Sequence, residues 1–145
     1  MLDVNVWGVI NLARVAVPAL LERPVPRIGR FVAVASSAAV QGLPRLASYC
    51  ASKAAVTGFV RGLAADLRGT GVTANAVSPG STDTAMLAES ARLYDLADTQ
   101  EFAAQQPVER LISPAEVAAA IAWLAGPETD AVTGAVVPVD GGLSL

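Results

Sequence analysis

The residues best suited to move a proton are a tyrosine and a lysine, Tyr49 and Lys53, in the run Tyr-Cys-Ala-Ser-Lys. A periodic apolar pattern predicts a helix here, and residues four apart on a helix share one face. A tyrosine with an ordinary pKa of about 10 is a poor acid or base at neutral pH, but a lysine ammonium nearby favours its phenolate. The pair is therefore suited to general acid–base chemistry. The spacing alone usually marks two surface residues, so the flanking segments decide its meaning.

Two polar segments flank this pair. Ser36 and Ser37 close a short, Val-rich run at 30–35 that is typical of a buried parallel strand. The carboxyl end of such a strand is where open α/β sheets place ligands, so we expect the Ser36 hydroxyl to hydrogen-bond a substrate carbonyl oxygen. After the predicted helix, a second short strand ends in Ser-Pro-Gly at Gly80. This order gives the tyrosine and the lysine a context that spacing alone does not supply.

The composition removes several other kinds of site. No histidine occurs among the 145 residues, which excludes His-based triads and most zinc sites, and we predict no metal. The single cysteine, Cys50, cannot form an internal disulfide and suits a reducing cytoplasm; we interpret it as a small packing residue. The net charge of −3, without a basic cluster, argues against a nucleic-acid partner. No uninterrupted apolar run approaches about 18 residues, and no signal peptide is visible, so we predict a cytoplasmic protein without a membrane partner.

Helix and strand signals alternate along the chain. Proline cannot continue a helix, so Pro24 and Pro26 stop the first one, which contains Pro18. Ser113 is predicted to cap the last helix, with Glu116 completing a capping box. Helices are predicted at 4–21, 47–68 and 114–125, and strands at 30–35, 72–77 and 135–139.

The segment 81–111 has weak periodicity and mixed polarity, and we interpret it as a substrate lid with one or two short helices. The order α-β-α-β-lid-α-β predicts a parallel sheet covered on both faces, in one partial domain over 1–145. Three strands are fewer than the about five or six usual for such sheets. Trp123 is predicted to lie in the core. Asp140 either caps the turn at Gly141 and Gly142 or contacts the lid.

Taken in order, these motifs resemble the short-chain dehydrogenases/reductases over essentially all 145 residues. Tyr49 and Lys53 match the family's Tyr-x-x-x-Lys pair, and the segment 3–8 resembles the helix that carries its catalytic asparagine, here Asn5. The strand leading to Ser36 resembles the one before the catalytic serine. The remaining matches are the Pro-Gly motif at 79–84, which holds the nicotinamide carboxamide, and the C-terminal signature at 139–142.

The resemblance implies a role for each residue. Tyr49 is the general acid in reduction and the base in oxidation, while Lys53 binds the nicotinamide ribose and favours the phenolate. Asn5 holds a water of the proton relay. Ser36 orients the substrate carbonyl; its spacing to Tyr49 favours it, but many members use the second of two serines, so Ser37 stays open. The implied cofactor-binding residues are Tyr49, Lys53, Pro79, Gly80, Thr82 and Thr84.

The family's Gly-rich phosphate turn belongs to its first half, and neither Gly-x-x-x-Gly-x-Gly nor Gly-x-Gly-x-x-Gly occurs here. The resemblance therefore implies an α/β fold that is the C-terminal half of a Rossmann-like doubly wound parallel sheet, three strands with flanking helices, without the N-terminal dinucleotide-binding half. We expect the isolated chain to bind nicotinamide dinucleotide weakly and to be inactive, whether it is a truncated sequence or a genuine short protein.

The implied function is an oxidoreductase that interconverts an alcohol and a ketone by hydride transfer with NAD or NADP, with NAD slightly favoured. Apolar residues in the lid suggest a small apolar substrate. The stretches 18–30 and 81–87 are similar to mycofactocin-associated members, in which mycofactocin accepts the electrons. In the family, helices matching those near Val4 and Ala47 form subunit contacts, so a homodimer or homotetramer is expected. Trp7 lies on the first of these helices, so it is expected either in the core or at a subunit interface. The alternative is an inactive fragment that acts only as a subunit-interaction module.

Overall fold

The structure, a computed structural model, describes residues 1–23 and 29–145. Its three strands form one parallel sheet in the order β1-β2-β3. They are β1 Gly29–Val34, β2 Val72–Pro79 and β3 Val136–Val139. The helices are α1 Gly8–Leu21, continuous with a π-helical turn at Asp3–Trp7, then α2 Ala47–Asp66, α3 Ala85–Leu93 and α4 Pro114–Ala125. Short 3-10 segments lie at Ser37–Ala39, Thr99–Gln105 and Pro127–Thr129.

The sheet is covered by helices on both faces, as predicted. Alternate strand residues, including Phe31 and Ala74, form a buried core with Ala13 of α1 and Val60 of α2. Because successive residues of a strand point to opposite faces, Arg30 points the other way. Its guanidinium reaches the backbone carbonyl of Gly126, just after α4. The chain therefore has the predicted α/β fold of three parallel strands with flanking helices.

Most element boundaries lie within two residues of the predicted ones. The capping box of α4 is confirmed, since the Ser113 hydroxyl accepts from the Glu116 backbone N–H at 3.3 Å and the Glu116 carboxylate accepts from the Ser113 N–H at 2.8 Å. The first helix ends at Leu21 among the described residues, whereas Pro24 and Pro26, its predicted stop, lie outside them.

The prediction for Trp123 is wrong. Its side chain is 51% exposed, whereas its neighbour Leu124 is fully buried. Neighbouring residues of a helix are about 100° apart, so Leu124 and Trp123 cannot both point at the sheet. The sequence pattern located the apolar helix but assigned the wrong side chain to its inner face. Trp7, for which core and interface were both open, is 50% exposed.

The lid holds the two predicted short helical segments, α3 and Thr99–Gln105. The rings of Tyr94 and Phe102 meet edge to face with centroids 6.2 Å apart, so the two segments pack on each other. The Tyr94 hydroxyl donates to the Pro44 carbonyl at 2.7 Å, and Arg45 donates to the Leu93 carbonyl at 2.7 Å. These bonds tie the lid to the loop that precedes α2.

One helix among the described residues, the continuous stretch Asp3–Leu21, is long and apolar enough to cross a membrane by length and composition. The sequence prediction counted only uninterrupted apolar runs and therefore missed it, because Asn5 and Arg14 interrupt its apolar residues. Only 6% of its apolar window is buried in the structure, although the partly buried Val9 and Val17 pack against the sheet core.

Candidate active site

Tyr49 and Lys53 lie on one face of α2, near the carboxyl end of β1. The Lys53 Nζ is 5.8 Å from the centroid of the Tyr49 ring. It donates a hydrogen bond to the backbone carbonyl of Val34, the last residue of β1, at 3.0 Å. Burial lowers the pKa of Lys53 below its usual 10.5. One of the three ammonium donors is used by Val34, which leaves donors for a ligand.

Asn5 contacts α2 through a serine between the tyrosine and the lysine. The Asn5 side-chain amide donates to Ser52 Oγ at 3.0 Å, and the Ser52 hydroxyl donates to the Tyr49 carbonyl at 2.7 Å. Ser52 is fully buried. This bridge fixes the π-helical turn that carries Asn5 against the turn of α2 that carries Tyr49. The sequence prediction missed Ser52, although its position three residues after Tyr49 places it on the same side of the helix.

The two candidate serines occupy different environments just beyond β1. Ser36 is half-buried and caps the 3-10 turn Ser37–Ala39, with its hydroxyl oxygen accepting from the Ala38 N–H at 3.2 Å. That bond uses an acceptor position, so the Ser36 O–H proton remains available for a carbonyl oxygen. Ser37 is only 5% exposed. These positions favour Ser36 as the serine that can reach a substrate.

The Pro-Gly segment follows β2, the neighbouring strand. A side chain at Gly80 would place its Cβ 2.5 Å from Gln106 Oε1 and 2.8 Å from Asp140 Cα, so only glycine fits there. Thr82 Oγ1 donates to the Gly80 carbonyl at 3.1 Å, and Thr84 Oγ1 donates to the Thr82 carbonyl at 3.2 Å. Thr84 also caps α3. These bonds hold the segment 80–84 as a compact turn at the strand end.

Asp140 follows β3 and caps the turn after it, one of the two interpretations left open by the sequence. Its carboxylate accepts from the backbone N–H groups of Gly142 and Ser144 at 3.0 and 3.1 Å. Gly141 and Gly142 have positive φ angles of 60° and 87°, which the turn requires. The contact with the lid is made by the Gly141 carbonyl, which accepts from the Val108 N–H at 3.2 Å.

The predicted residues thus meet at one end of the sheet. Val34 of β1 pairs with Val77 of β2, so Ser36 and the segment after Pro79 follow neighbouring strand ends. A cleft of about 940 Å³ lies elsewhere, beside Arg68 and Thr73 near the opposite strand ends. None of the predicted site residues lines that cleft. The residue chemistry, and not the cleft size, therefore locates the candidate site.

The chain has two tyrosines, and their surroundings differ. Burial, followed by the charge of the nearby Cys50, raises the pKa of Tyr94, with Arg45 opposing. Its hydroxyl is committed to the Pro44 carbonyl. Tyr94 is therefore poorly suited to exchange a proton near neutral pH. Tyr49 beside Lys53 is the tyrosine that fits acid–base chemistry.

Comparisons with known proteins show what this chain is similar to in sequence and in fold. A family model described as Enoyl-(Acyl carrier protein) reductase matches residues 1–144. Acetoacetyl-CoA reductase of Allochromatium vinosum is 38% identical over 145 residues, covering 100% of this chain and 56% of the relative. Actinorhodin polyketide ketoreductase with NADPH superposes with a TM-score of 0.86 at 36% identity, over 97% of this chain and 56% of that one. A 3-oxoacyl-acyl carrier protein reductase with NAD from Brucella melitensis superposes with a TM-score of 0.82 at 34% identity, over 99% and 50%.

The chain spans about half the length of the relatives that it matches. The match nevertheless covers nearly all of this chain in sequence and in fold. The chain belongs to the short-chain dehydrogenase/reductase family.

Proposed function

We propose that this chain supplies the proton-transfer half of a nicotinamide-dependent oxidoreductase that interconverts an alcohol and a ketone. The observation that carries the proposal is the placement of Tyr49 and Lys53 on one face of α2, with Lys53 bonded to the last residue of β1. Ligands of open α/β sheets bind at the carboxyl ends of the strands, where this pair lies.

The residues around the pair fit the nicotinamide end of such a cofactor. Gly80 offers a side-chain-free backbone, Thr82 follows it in the same turn, and Lys53 has donors to spare. We propose that Lys53 and Tyr49 hold the ribose, and that Pro79, Gly80, Thr82 and Thr84 hold the carboxamide. When bound, the nicotinamide supplies or accepts the hydride.

Tyr49 then donates the proton to the carbonyl oxygen in reduction and removes it from the hydroxyl in oxidation. After Tyr49 has donated its proton, the positive charge of the Lys53 ammonium stabilises the phenolate that remains. Ser36 donates its free O–H proton to the same carbonyl oxygen and orients it. Asn5, held by Ser52, positions the water through which protons reach Tyr49.

The finer assignments rest on relatives and on the lid. The relatives are named as reductases of acetoacetyl-CoA, of 3-oxoacyl chains and of polyketides, which favours a ketone as the oxidised substrate. Apolar lid residues that are only partly buried, including Leu87, favour a small apolar substrate. The actinorhodin polyketide ketoreductase holds NADPH, and the Brucella melitensis reductase holds NAD. We keep NAD as the slightly favoured cofactor and propose mycofactocin as the final electron acceptor, on the resemblance of 18–30 and 81–87.

The proposal is tested by supplying the half that this chain does not match. We define the joined enzyme as this chain fused to the unmatched portion of the Allochromatium vinosum acetoacetyl-CoA reductase. It is expected to oxidise NADH or NADPH in the presence of acetoacetyl-CoA or a small apolar ketone, whereas the 145-residue chain alone shows no turnover. A folded, cofactor-binding joined enzyme that reduces none of these ketones contradicts the proposal.

Calorimetry with NADH and NADPH separately tests the role of the half that this chain does not match. The chain alone lacks a Gly-rich phosphate turn, so we expect it to bind neither dinucleotide with a Kd below about 1 mM. Tighter binding of either one overturns this expectation. An artificial electron acceptor added to the joined enzyme tests the mycofactocin assignment. With an alcohol as the substrate, a cofactor that stays bound passes the electrons of the alcohol to the acceptor over many turnovers, whereas an exchangeable cofactor is released as NADH or NADPH in proportion to the alcohol oxidised.

A second candidate function is a subunit-interaction module that pairs with a second copy of the chain. The helix Asp3–Leu21 exposes a set of large apolar side chains, and β1 is an edge strand of the sheet. The exposed residues are Val4, Trp7, Leu12 and Val15. Light scattering together with the activity assay distinguishes the two candidates. A stable dimer or tetramer of the chain, combined with an inactive joined enzyme, favours the interaction module. An active joined enzyme favours the oxidoreductase.

A further inference from the structure

A buried glutamine, Gln106, lies where the lid returns towards the sheet. Its side chain is 1% exposed and follows the 3-10 segment Thr99–Gln105. Its Oε1 accepts from the Ser81 N–H at 2.8 Å, while its Nε2 donates to the Arg110 carbonyl at 2.6 Å and to the Ser81 carbonyl at 3.4 Å. One carboxamide therefore binds the segment after Gly80 and the end of the lid together.

The two segments held by Gln106 also pair directly with each other. Ile112 donates its N–H to the Ser81 carbonyl and accepts from the Asp83 N–H, both at 2.9 Å. Thr82 and Ile112 form a parallel bridge. These backbone bonds fix the carbonyl side of Ser81 and the residues after it. The Ser81 N–H, next to Gly80, has no part in this backbone pairing; it donates to Gln106 instead.

Gly80 packs against the same carboxamide. A Cβ placed on Gly80 would lie 2.5 Å from Gln106 Oε1, so the backbone passes as close to the side chain as glycine allows. A carboxamide buried this completely is stable only when its polar atoms are paired, and here the oxygen and the nitrogen both have partners. The contact fixes the conformation of the turn at Gly80 and Ser81 from the lid side.

We propose that Gln106 is a positioning residue that holds the Gly80–Thr82 backbone in the shape required by the nicotinamide end of the cofactor. The inference rests on the proposed function, because it takes these residues as the carboxamide-binding turn. Gln106 acts through the turn and does not touch the cofactor. Its carboxamide adds a side-chain link between the end of the lid and the turn to the backbone pairing of Ile112 with Ser81 and Asp83.

Hydrogen exchange of the whole 145-residue chain tests the local part of the proposal. Gln106→Met keeps a similar volume but neither accepts from Ser81 nor donates to Arg110. We expect the Ser81 amide to exchange roughly tenfold faster in this variant, as for the loss of one hydrogen bond, while the amide of Ala76 in β2 is unchanged. Gln105→Met, at the exposed neighbouring position, is the matched control and leaves both amides unchanged. Unchanged exchange at Ser81 in Gln106→Met overturns the proposal.

Binding to the joined enzyme tests the functional part. ADP-ribose shares every group of NADH except the nicotinamide, so a defect confined to the turn weakens NADH binding and spares ADP-ribose. We expect Gln106→Met to raise the Kd for NADH about tenfold with the Kd for ADP-ribose unchanged, and Gln105→Met to change neither. Equal loss of both ligands indicates general misfolding and overturns the positioning role. If the unsubstituted joined enzyme binds neither ligand, the proposed function fails, and the exchange of Ser81 still decides what Gln106 holds.

Discussion

Lys53 Nζ donates a hydrogen bond to the Val34 carbonyl at 3.0 Å, joining α2 to the last residue of β1. Lys53 lies one helical turn after Tyr49 on the same face of α2. This bond therefore fixes where the turn that carries Tyr49 lies relative to the carboxyl end of β1. Ser36 follows Val34 by two residues, so the same contact links the tyrosine helix to the serine segment. The ammonium thus has a structural partner in the protein in addition to its proposed role towards the ribose.

The first prediction concerns the charge of Lys53. Burial lowers its pKa below the usual 10.5, so between that lowered pKa and 10.5 the unfolded chain holds more protons than the folded one. The free energy of unfolding therefore gains a contribution that rises with pH in this window. We expect Lys53→Met to remove that rise in urea unfolding measured from neutral pH to 10.5. Arg61→Met, an exposed change on the same helix, is expected to keep the pH profile of the unsubstituted chain; a Lys53→Met profile parallel to it contradicts the prediction.

The second prediction concerns the fit of Gly80. Because its Cβ would lie 2.5 Å from Gln106 Oε1 and 2.8 Å from Asp140 Cα, Gly80→Ala must displace backbone as well as a side chain. We expect a loss of about 1–3 kcal/mol in the free energy of unfolding, typical of overpacking. Gly58→Ala on α2 is the matched control, since its Cβ meets nothing within 4 Å. It is expected to stabilise the chain by up to about 1 kcal/mol, as alanine does in a helix interior. Equal effects of the two changes argue against a close fit at Gly80.

The third prediction concerns the capping box of α4. Hydrogen bonds from the Arg110 guanidinium, and then from the Ser113 backbone, lower the pKa of Glu116 from 4.5 to about 2. Between pH 4.5 and about pH 2, the unfolded chain therefore binds more protons than the folded one. The contribution of the Glu116 charge to the free energy of unfolding is complete above pH 4.5 and is lost as the pH falls to about 2. We expect Glu116→Gln to be less stable than the unsubstituted chain near neutral pH, with the difference shrinking through that window. Glu22→Gln, at an exposed helix end, serves as control; a constant Glu116→Gln difference down to pH 2 speaks against the prediction.

The order and type of the elements could be predicted because their signals are local. Ser113 and Glu116 specify a helix start within four residues, and the Val-rich runs specify buried strands regardless of their neighbours. The inner face of α4 could not be predicted in the same way. Almost every position there is apolar, so periodicity does not decide between Trp123 and Leu124, and only packing against the sheet selects Leu124.

Site residues that belong to a short sequence motif could be predicted, whereas residues whose role depends on tertiary contacts could not. Tyr49, Lys53 and Gly80 stand in recognisable runs. Gln106 stands in a weakly periodic loop, and its three hydrogen bonds form only when the lid folds back on the turn after β2. Ser52 had a usable signal, its helical spacing from Tyr49, but its partner Asn5 is 47 residues away.

The most direct test of the account compares the two tyrosines in the joined enzyme. Tyr49→Phe removes the hydroxyl that exchanges the proton and is expected to lower kcat for ketone reduction by roughly 100- to 10,000-fold. NADH affinity is expected to fall far less, because Lys53 and the turn at Gly80 still hold the nicotinamide end. Tyr94→Phe removes only the bond to the Pro44 carbonyl and is expected to retain most of kcat. The measurement is kcat for both variants beside the unsubstituted enzyme. A Tyr49→Phe enzyme that keeps a substantial fraction of kcat would contradict the assignment of Tyr49 as the proton donor.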